Sequence, residues 1–226
     1  MDGSHLERYA QVFNAVEINS SFYRAHRPAT YRKWADTVPA EFRFAVKMPR
    51  TISHLARLKA CLPLLDSFLD EVGPLGKKLG CLLLQLPPSL AYDPDIALPF
   101  FDQLRQAHRG PVACEPRHVS WFGEPASHAL RVHHIARVAA DPARNPRAGV
   151  PAGDRSMQYL RLHGSPRMYY DAYDDNALQC VSGRLLQPDP QTAERWCIFD
   201  NTALGHATAN ALTLGSLTQP GNHGRR

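Results

Sequence analysis

Apolar residues along this chain follow two rhythms that take turns. Runs with a period of two, each ending in polar residues, cover 15–22, 42–49, 81–87, 112–117, 136–141, 159–164 and 196–201. A period of two places alternate side chains on opposite faces of a strand. Between them lie stretches of helical spacing at 30–37, 53–72, 95–107, 125–133, 174–186 and 203–214. Ahead of the first strand, Ser4-His5-Leu6-Glu7 has the form of a capping box and predicts a helix over LERYAQVF. Strands alternating with helices at this spacing predict a parallel sheet with helical crossovers.

An open doubly wound sheet and a closed barrel both satisfy that pattern. No GxGxxG or GxxxxGK[ST] follows any strand, so the nucleotide-binding form of the open sheet lacks its fingerprint. The parity of the strands favours the barrel. One face is continuously apolar: Val16 and Ile18, Phe44 and Val46, Leu82 and Leu84, Val112 and Cys114, Val138 and Ala140, Leu160 and Leu162, Cys197 and Phe199. The other starts small or aliphatic and turns polar toward the strand's C-terminal end. It collects Glu17, Asn19, Lys47, Gln85, Glu115, Arg117, Asp141, Arg161, His163, Asp200 and, next to it, Asn201. A TIM-type (β/α) barrel needs this arrangement, a packed interior below and a polar rim where the strands end. Seven parallel strands are recognisable. In QYLRLHGS the same parity sends Arg161 and His163 inward rather than to solvent.

The segments EINSSFYR, FRFAVKMPRTISH, LLQLPPSL, CEPRHVSWF, YLRLHGSPRMYYDAYD and CIFDNTALG occur in this order along nearly the whole chain. Together they closely resemble the YecE-like family, a domain of unknown function (family 72). The resemblance implies a TIM-type barrel and carries no established activity. Members of that family open with a strand of the form I-G-T-S-G-W, where this chain reads MDGSHLERY. The resemblance therefore implies that the usual first strand is absent. An open seam between 15–22 and 196–201 would present unpaired backbone groups, through which the chain could self-associate. The expected organisation is a single barrel domain over 1–214 and a disordered tail over 215–226.

Composition narrows the function classes. The chain has 226 residues, 44% hydrophobic and 21% charged, as in ordinary globular proteins. The greasiest stretch, CLLLQLPP, is far too short to span a bilayer, and no signal peptide is evident. Five cysteines, odd in number and without CxxC spacing, argue for reduced thiols in a cytoplasmic protein rather than for disulfides or zinc. A net charge of +5 and a pI near 9.1 would suit a polyanion. The basic residues are scattered, however, and arginine exceeds lysine as a GC-rich genome alone would produce. Nucleic acid is therefore not the favoured partner.

The rim residues admit several chemistries. Lys47, Arg117 and Arg161, with Arg167 from a loop, could hold a phosphate or carboxylate, since guanidinium forks match such anions. Glu17, Glu115, His163 and Asp200 could serve as general acid and base, with Asn19, Gln85, Asp141 and Asn201 binding the ligand beside them. A divalent metal on the same acids is the weakest version, because Lys47 and the arginines compete for them; no cofactor is expected. A ladder of buried ion pairs that only fixes strand register is the alternative without a ligand. Arg167 with Tyr169, Tyr170 and Tyr173 could cover a sugar or base, or simply pack. His54 is as good a cap as a ligand, and the three tryptophans read as packing residues. The leading expectation is acid–base or hydrolytic chemistry on a phosphate-bearing or sugar-like substrate. A non-catalytic ligand- or partner-binding barrel and a nuclease-like nucleic-acid binder are the alternatives.

Overall fold

Four parallel strands lie side by side in chain order: β1 (Ala15–Ile18), β2 (Arg43–Lys47), β3 (Leu79–Gln85) and β4 (Val112–Glu115). They belong to the first of two units, Met1–Ile135 and Ala136–Arg226, in a computed structural model that describes residues 3–219. The helices of this unit are α1 (His5–Ala10), α2 (Pro28–Thr37), α3 (Leu62–Val72), α4 (Pro94–Ala107) and α5 (Glu124–Val132). Each link between strands contains a helix, as parallel pairing requires. The capping box at α1 forms: Glu7 N–H donates to Ser4 Oγ at 3.3 Å, and Ser4 N–H donates to the Glu7 carboxylate.

Register confirms the parity in this unit. Glu17 pairs with Ala45, Lys47 with Leu83, and Gln85 with Glu115, so these polar residues emerge on one face. Phe44, Val46, Leu82, Leu84 and Cys114 occupy the other face and are buried. The helices bury matching stripes. In α4 these are Ala97, Phe100, Phe101 and Leu104, at the i, i+3, i+4, i+7 spacing of one helical face. Asp93 caps that helix by accepting from Asp95 N–H at 3.0 Å, and Pro94 starts it.

Cations fasten the turns at the helix C-termini. Lys78 Nζ donates to the carbonyls of Ala35 and Val38, at 2.5 and 2.6 Å, just where α2 ends. Arg105, in the last turn of α4, donates Nε to His133 O at 2.6 Å, Nη2 to His134 O at 2.7 Å and Nη1 to Gly110 O at 2.7 Å. Its fork thereby ties the turn after α4 to the turn after α5.

The helix expected over 53–72 is broken. A wide helical turn covers Thr51–Leu55, and then Arg57, Leu58 and Ala60 adopt φ values of 53°, 66° and 48° before α3 begins at Leu62. Ile52 and Leu58 flank this turn and are both buried, and Leu58 N–H donates to Ile52 O at 3.0 Å. Burial at this site overrides the local helical pattern.

The second unit holds β5 (Ile135–Arg137, which opens at the boundary), β6 (Ala139–Asp141), β7 (Ala152–Gly153), β8 (Met157–Leu162), β9 (Glu194–Phe199), α6 (Asp175–Leu186) and α7 (His206–Thr218). Strands β6, β8 and β9 form a parallel sheet, and β7 pairs antiparallel with β5, a pairing the sequence pattern did not announce. Leu162, Tyr173, Leu178 and Leu214 make a buried cluster, with Val181, Phe199 and Leu217 packed against it. Helix α7 continues to Thr218, past the boundary expected at 214; the rest of the expected tail, 220–226, lies outside the described residues.

One expectation about parity fails here. The strand expected over 136–141 is interrupted at Val138, and beyond the break Ala140 pairs with Arg161 while Asp141 pairs with Leu162. Asp141 therefore shares a face with Leu162 and not with Arg161 or His163. A one-residue irregularity exchanges the two faces of everything that follows it.

Candidate functional site

Polar residues gather at the C-terminal ends of the strands in each unit. In the first unit they form a mixed-charge group on the face shared by β1–β4. Glu115, 3% exposed at the end of β4, is held on both oxygens. Its Oε2 accepts from Gln85 Nε2 at 3.0 Å, and its Oε1 takes Nε and Nη2 of Arg117, both at 3.2 Å. Arg117 remains partly exposed. Lys47, buried at the end of β2, sets Nζ 4.1 Å from the centre of the Phe22 ring. The edge of the His54 ring meets the same phenylalanine at 4.9 Å. Asn19 follows β1, and its buried Oδ1 accepts no hydrogen bond from the described residues. Glu17 is half-buried two residues before it.

His54 stands on the broken stretch after β2, where a wide turn and left-handed residues coincide; such backbone clusters at functional sites. Ser53 Oγ lies 2.9 Å from its Nδ1. Burial holds the imidazole below its ordinary value of 6.5, and Lys47, Arg117 and Arg50 push it the same way. The charges acting on His54 are thus positive ones brought from the ends of β2 and β4.

In the second unit the group centres on Asp200. Its Oδ2 accepts from Arg161 Nη2 at 3.2 Å and lies 3.1 Å from His163 Nδ1. A carboxylate has no proton to give, so Nδ1 carries the proton of this contact. Arg161 and His163 are each 1% exposed, and the Tyr169 ring meets His163 edge-on at 5.7 Å. Both residues of the QYLRLHGS segment point inward.

The remaining expected site residues lie elsewhere in that unit. Asp141 accepts the Tyr173 hydroxyl at 2.8 Å, and the same hydroxyl accepts Gly164 N–H at 3.0 Å. Burial, then Asp141, push the Tyr173 phenol well above its ordinary range and keep it a donor. Asn201 is fully buried and donates to Asp171 O at 3.0 Å and Asn210 Oδ1 at 2.9 Å. Asn210 in turn bonds both the N–H and the carbonyl of Tyr173. These contacts make Asp141 and Asn201 parts of a scaffold around Tyr173, with the buried Oδ1 of Asn201 accepting no hydrogen bond from the described residues. Arg167 is exposed, with Nε 3.6 Å from Asp171 Oδ1 and its guanidinium 4.5 Å from the Tyr170 ring centre. Among the described residues, no three of His, Cys, Asp and Glu gather as a metal-holding group, and no helix is long and apolar enough to cross a membrane.

A model of the family described as "Protein of unknown function DUF72" matches residues 1–224. The chain belongs to the DUF72 family. Two DUF72 crystal structures share its fold: one from Enterococcus faecalis V583, with a TM-score of 0.82 at 21% identity, covering 95% of this chain and 88% of that one; and one from Thermotoga maritima MSB8, with a TM-score of 0.78 at 24% identity, covering 94% and 88%. The fold is accordingly of the TIM-type α/β class. UPF0759 protein YecE of Escherichia coli K12 is 42% identical over 82 residues, 36% of this chain and 30% of its own length. UPF0759 protein YunF of Bacillus subtilis 168 is 22% identical over 238 residues, 92% of this chain and 84% of that protein.

Within this DUF72 chain, sequence reasoning passed over Phe22 and Asn210 and left His54 open between a cap and a ligand. The signal for His54 was present: it closes a loop that leaves β2 immediately after Lys47 and carries Arg50. Asn210 gave no signal, since a single asparagine on a helix is ordinarily a surface residue.

Proposed function

We propose that this protein binds a small anionic ligand, a phosphate ester or a carboxylate, at the C-terminal ends of β1–β4. One observation carries the reading. The Phe22 ring has Lys47 Nζ 4.1 Å from its centre and meets His54 at 4.9 Å, while Lys47, Arg117 and Arg50 all act on that histidine as positive charges. An anion entering this field gains from cations of fixed position, and Arg117, partly exposed, has Nη1 to donate beside the Nε and Nη2 it commits to Glu115. Asn19 Oδ1 supplies an acceptor for a ligand hydroxyl, as a sugar-like molecule would carry. The reaction class we attach to the site is acid–base or hydrolytic chemistry on a phosphate-bearing or sugar-like substrate.

Titration with inorganic phosphate, followed through the His54 ring signals by NMR, tests the binding. The signals are expected to move with saturation. Arg117→Gln is expected to weaken binding roughly 10- to 100-fold, the loss of one charge-assisted hydrogen bond. Ring signals unmoved by phosphate at high concentration would remove the reading.

The second unit supports a separate reading of its own. Asp200 holds His163 with the proton on Nδ1, which leaves the neutral ring's lone pair on Nε2, the arrangement of a general base. Nitrogen chemical shifts of His163 are expected to report that tautomer and to lose it in Asp200→Ala.

A further inference from the structure

The large apolar side chains most open to solvent are not spread evenly. Tyr23, Val119 and Leu55, at 72%, 69% and 62% exposure, exceed every other exposed large apolar residue among those described. All three stand on loops that leave the C-terminal ends of strands, after β1, β4 and β2 in turn. Those are the loops and strand ends that bear Lys47, Arg50, His54 and Arg117. Single exposed apolar residues are ordinary, as Leu204 at 61% and Val12 at 59% are elsewhere on the chain; these three stand beside one group of cations.

Contacts connect the two features. The Tyr23 ring meets Phe22 edge-on at 5.0 Å, Phe22 meets His54 at 4.9 Å, and Lys47 Nζ lies over the Phe22 ring. Leu55 is the next residue after His54, and Val119 lies two beyond Arg117. A ligand whose anionic group reaches the cations brings the rest of itself against tyrosine, leucine and valine. A polar body such as a bare sugar would gain little there. A flat apolar body would cover surface now facing water.

We infer that the ligand is an anion joined to an aromatic or otherwise apolar body, of the class of an aryl phosphate, with Tyr23 and Leu55 receiving that body. The inference rests on the anion-binding reading above.

Binding of methyl phosphate and phenyl phosphate, which carry the same ester charge, separates the two. In the unaltered chain phenyl phosphate is expected to bind about 10-fold more tightly. A Tyr23→Ser, Leu55→Ser double variant, altered only at exposed positions, should lose that advantage and keep its methyl phosphate affinity. Equal affinities in the unaltered chain, or an advantage that survives in the double variant, overturn the inference and leave anion binding standing. Failure of both esters to bind overturns the anion reading and the inference with it. A concentration-dependent dimer abolished by the double variant, with no preference between the esters, assigns the rim to contact between copies instead.

Discussion

Arg161 on β8 and His163 just past its end both reach one carboxylate oxygen, Oδ2 of Asp200 on the segment that leaves β9. The register explains it: Arg161 pairs with Ile198, so the next position on the same face of each strand holds His163 and Asp200. Asp200→Ala removes an acceptor from a buried guanidinium and a buried imidazole at once. Urea unfolding is expected to show a loss of about 1.5–3 kcal/mol, the range for hydrogen bonds to charged groups. Asp200→Asn, which keeps one acceptor, should lose less. Equal losses in the two variants would mean that the shared oxygen contributes nothing beyond packing.

Tyr173→Phe keeps the ring against Leu162 and Leu178 but deletes the hydroxyl between Asp141 and Gly164. Gly164 N–H then loses this acceptor inside the protein. The expected cost is about 1–3 kcal/mol, seen as a lower urea midpoint at unchanged slope. A midpoint equal to that of the parent would show the hydroxyl to be dispensable.

His54 fixes the sign of one pH dependence. Burial, then Lys47, Arg117 and Arg50, hold it below 6.5 in the fold, so the unfolded chain binds its proton more readily. His26 and His108 are lowered as well, each first by burial. The stability these rings contribute is present above about pH 6.5 and drains away as pH falls through the lower folded values. The unfolding midpoint should therefore drop between about pH 7 and about pH 5. In Lys47→Met, the His54 titration followed by NMR should move toward 6.5. A titration unchanged in that variant would remove Lys47 from the field at His54.

Arg105→Lys keeps the charge and discards the fork. One ammonium cannot reproduce three separate directions to His133, His134 and Gly110 carbonyls, so a loss of about 1.5–3 kcal/mol is expected despite the conserved charge. Thermal or urea unfolding checks it, and a variant as stable as the parent would reduce the clamp to simple charge placement.

Local pattern carried much of this fold. In β1–β4 the pairings run in step to the strand ends once past one irregularity at Phe44–Ala45, so alternation in the sequence equals alternation in space there, and Glu17, Lys47, Gln85 and Glu115 were legible as one face. At Val138 that equivalence ends, and Asp141 changed sides without any mark in its own residue type. Thr51–Ala60 deceived differently. Its apolar spacing is helical, and only burial of Ile52 and Leu58 selects the left-handed backbone that sets His54 in place. Asn201 read as a ligand group, and Tyr173 as either a ligand cover or packing, because a polar side chain beside a strand end looks alike whether it meets a ligand or another loop. Distances decide that, and no sequence contains them.

The cations at the turns bear on how far this chain can be recharged. Arg43, Lys78, Arg105, Arg184 and Arg195 donate to main-chain carbonyls, at Ala40, Ala35, Gly110, Gly149 and Gln187 among others. A carbonyl brings no negative charge, so each fastening leaves its positive charge in the net total. Part of the basic isoelectric point is thus a by-product of how the chain ties its turns, and it marks no outside partner. Engineering the surface toward acidity for solubility or crystallisation would meet a limit here: exchanging these particular cations would loosen the connections, while exchanging others would only move the titration curve.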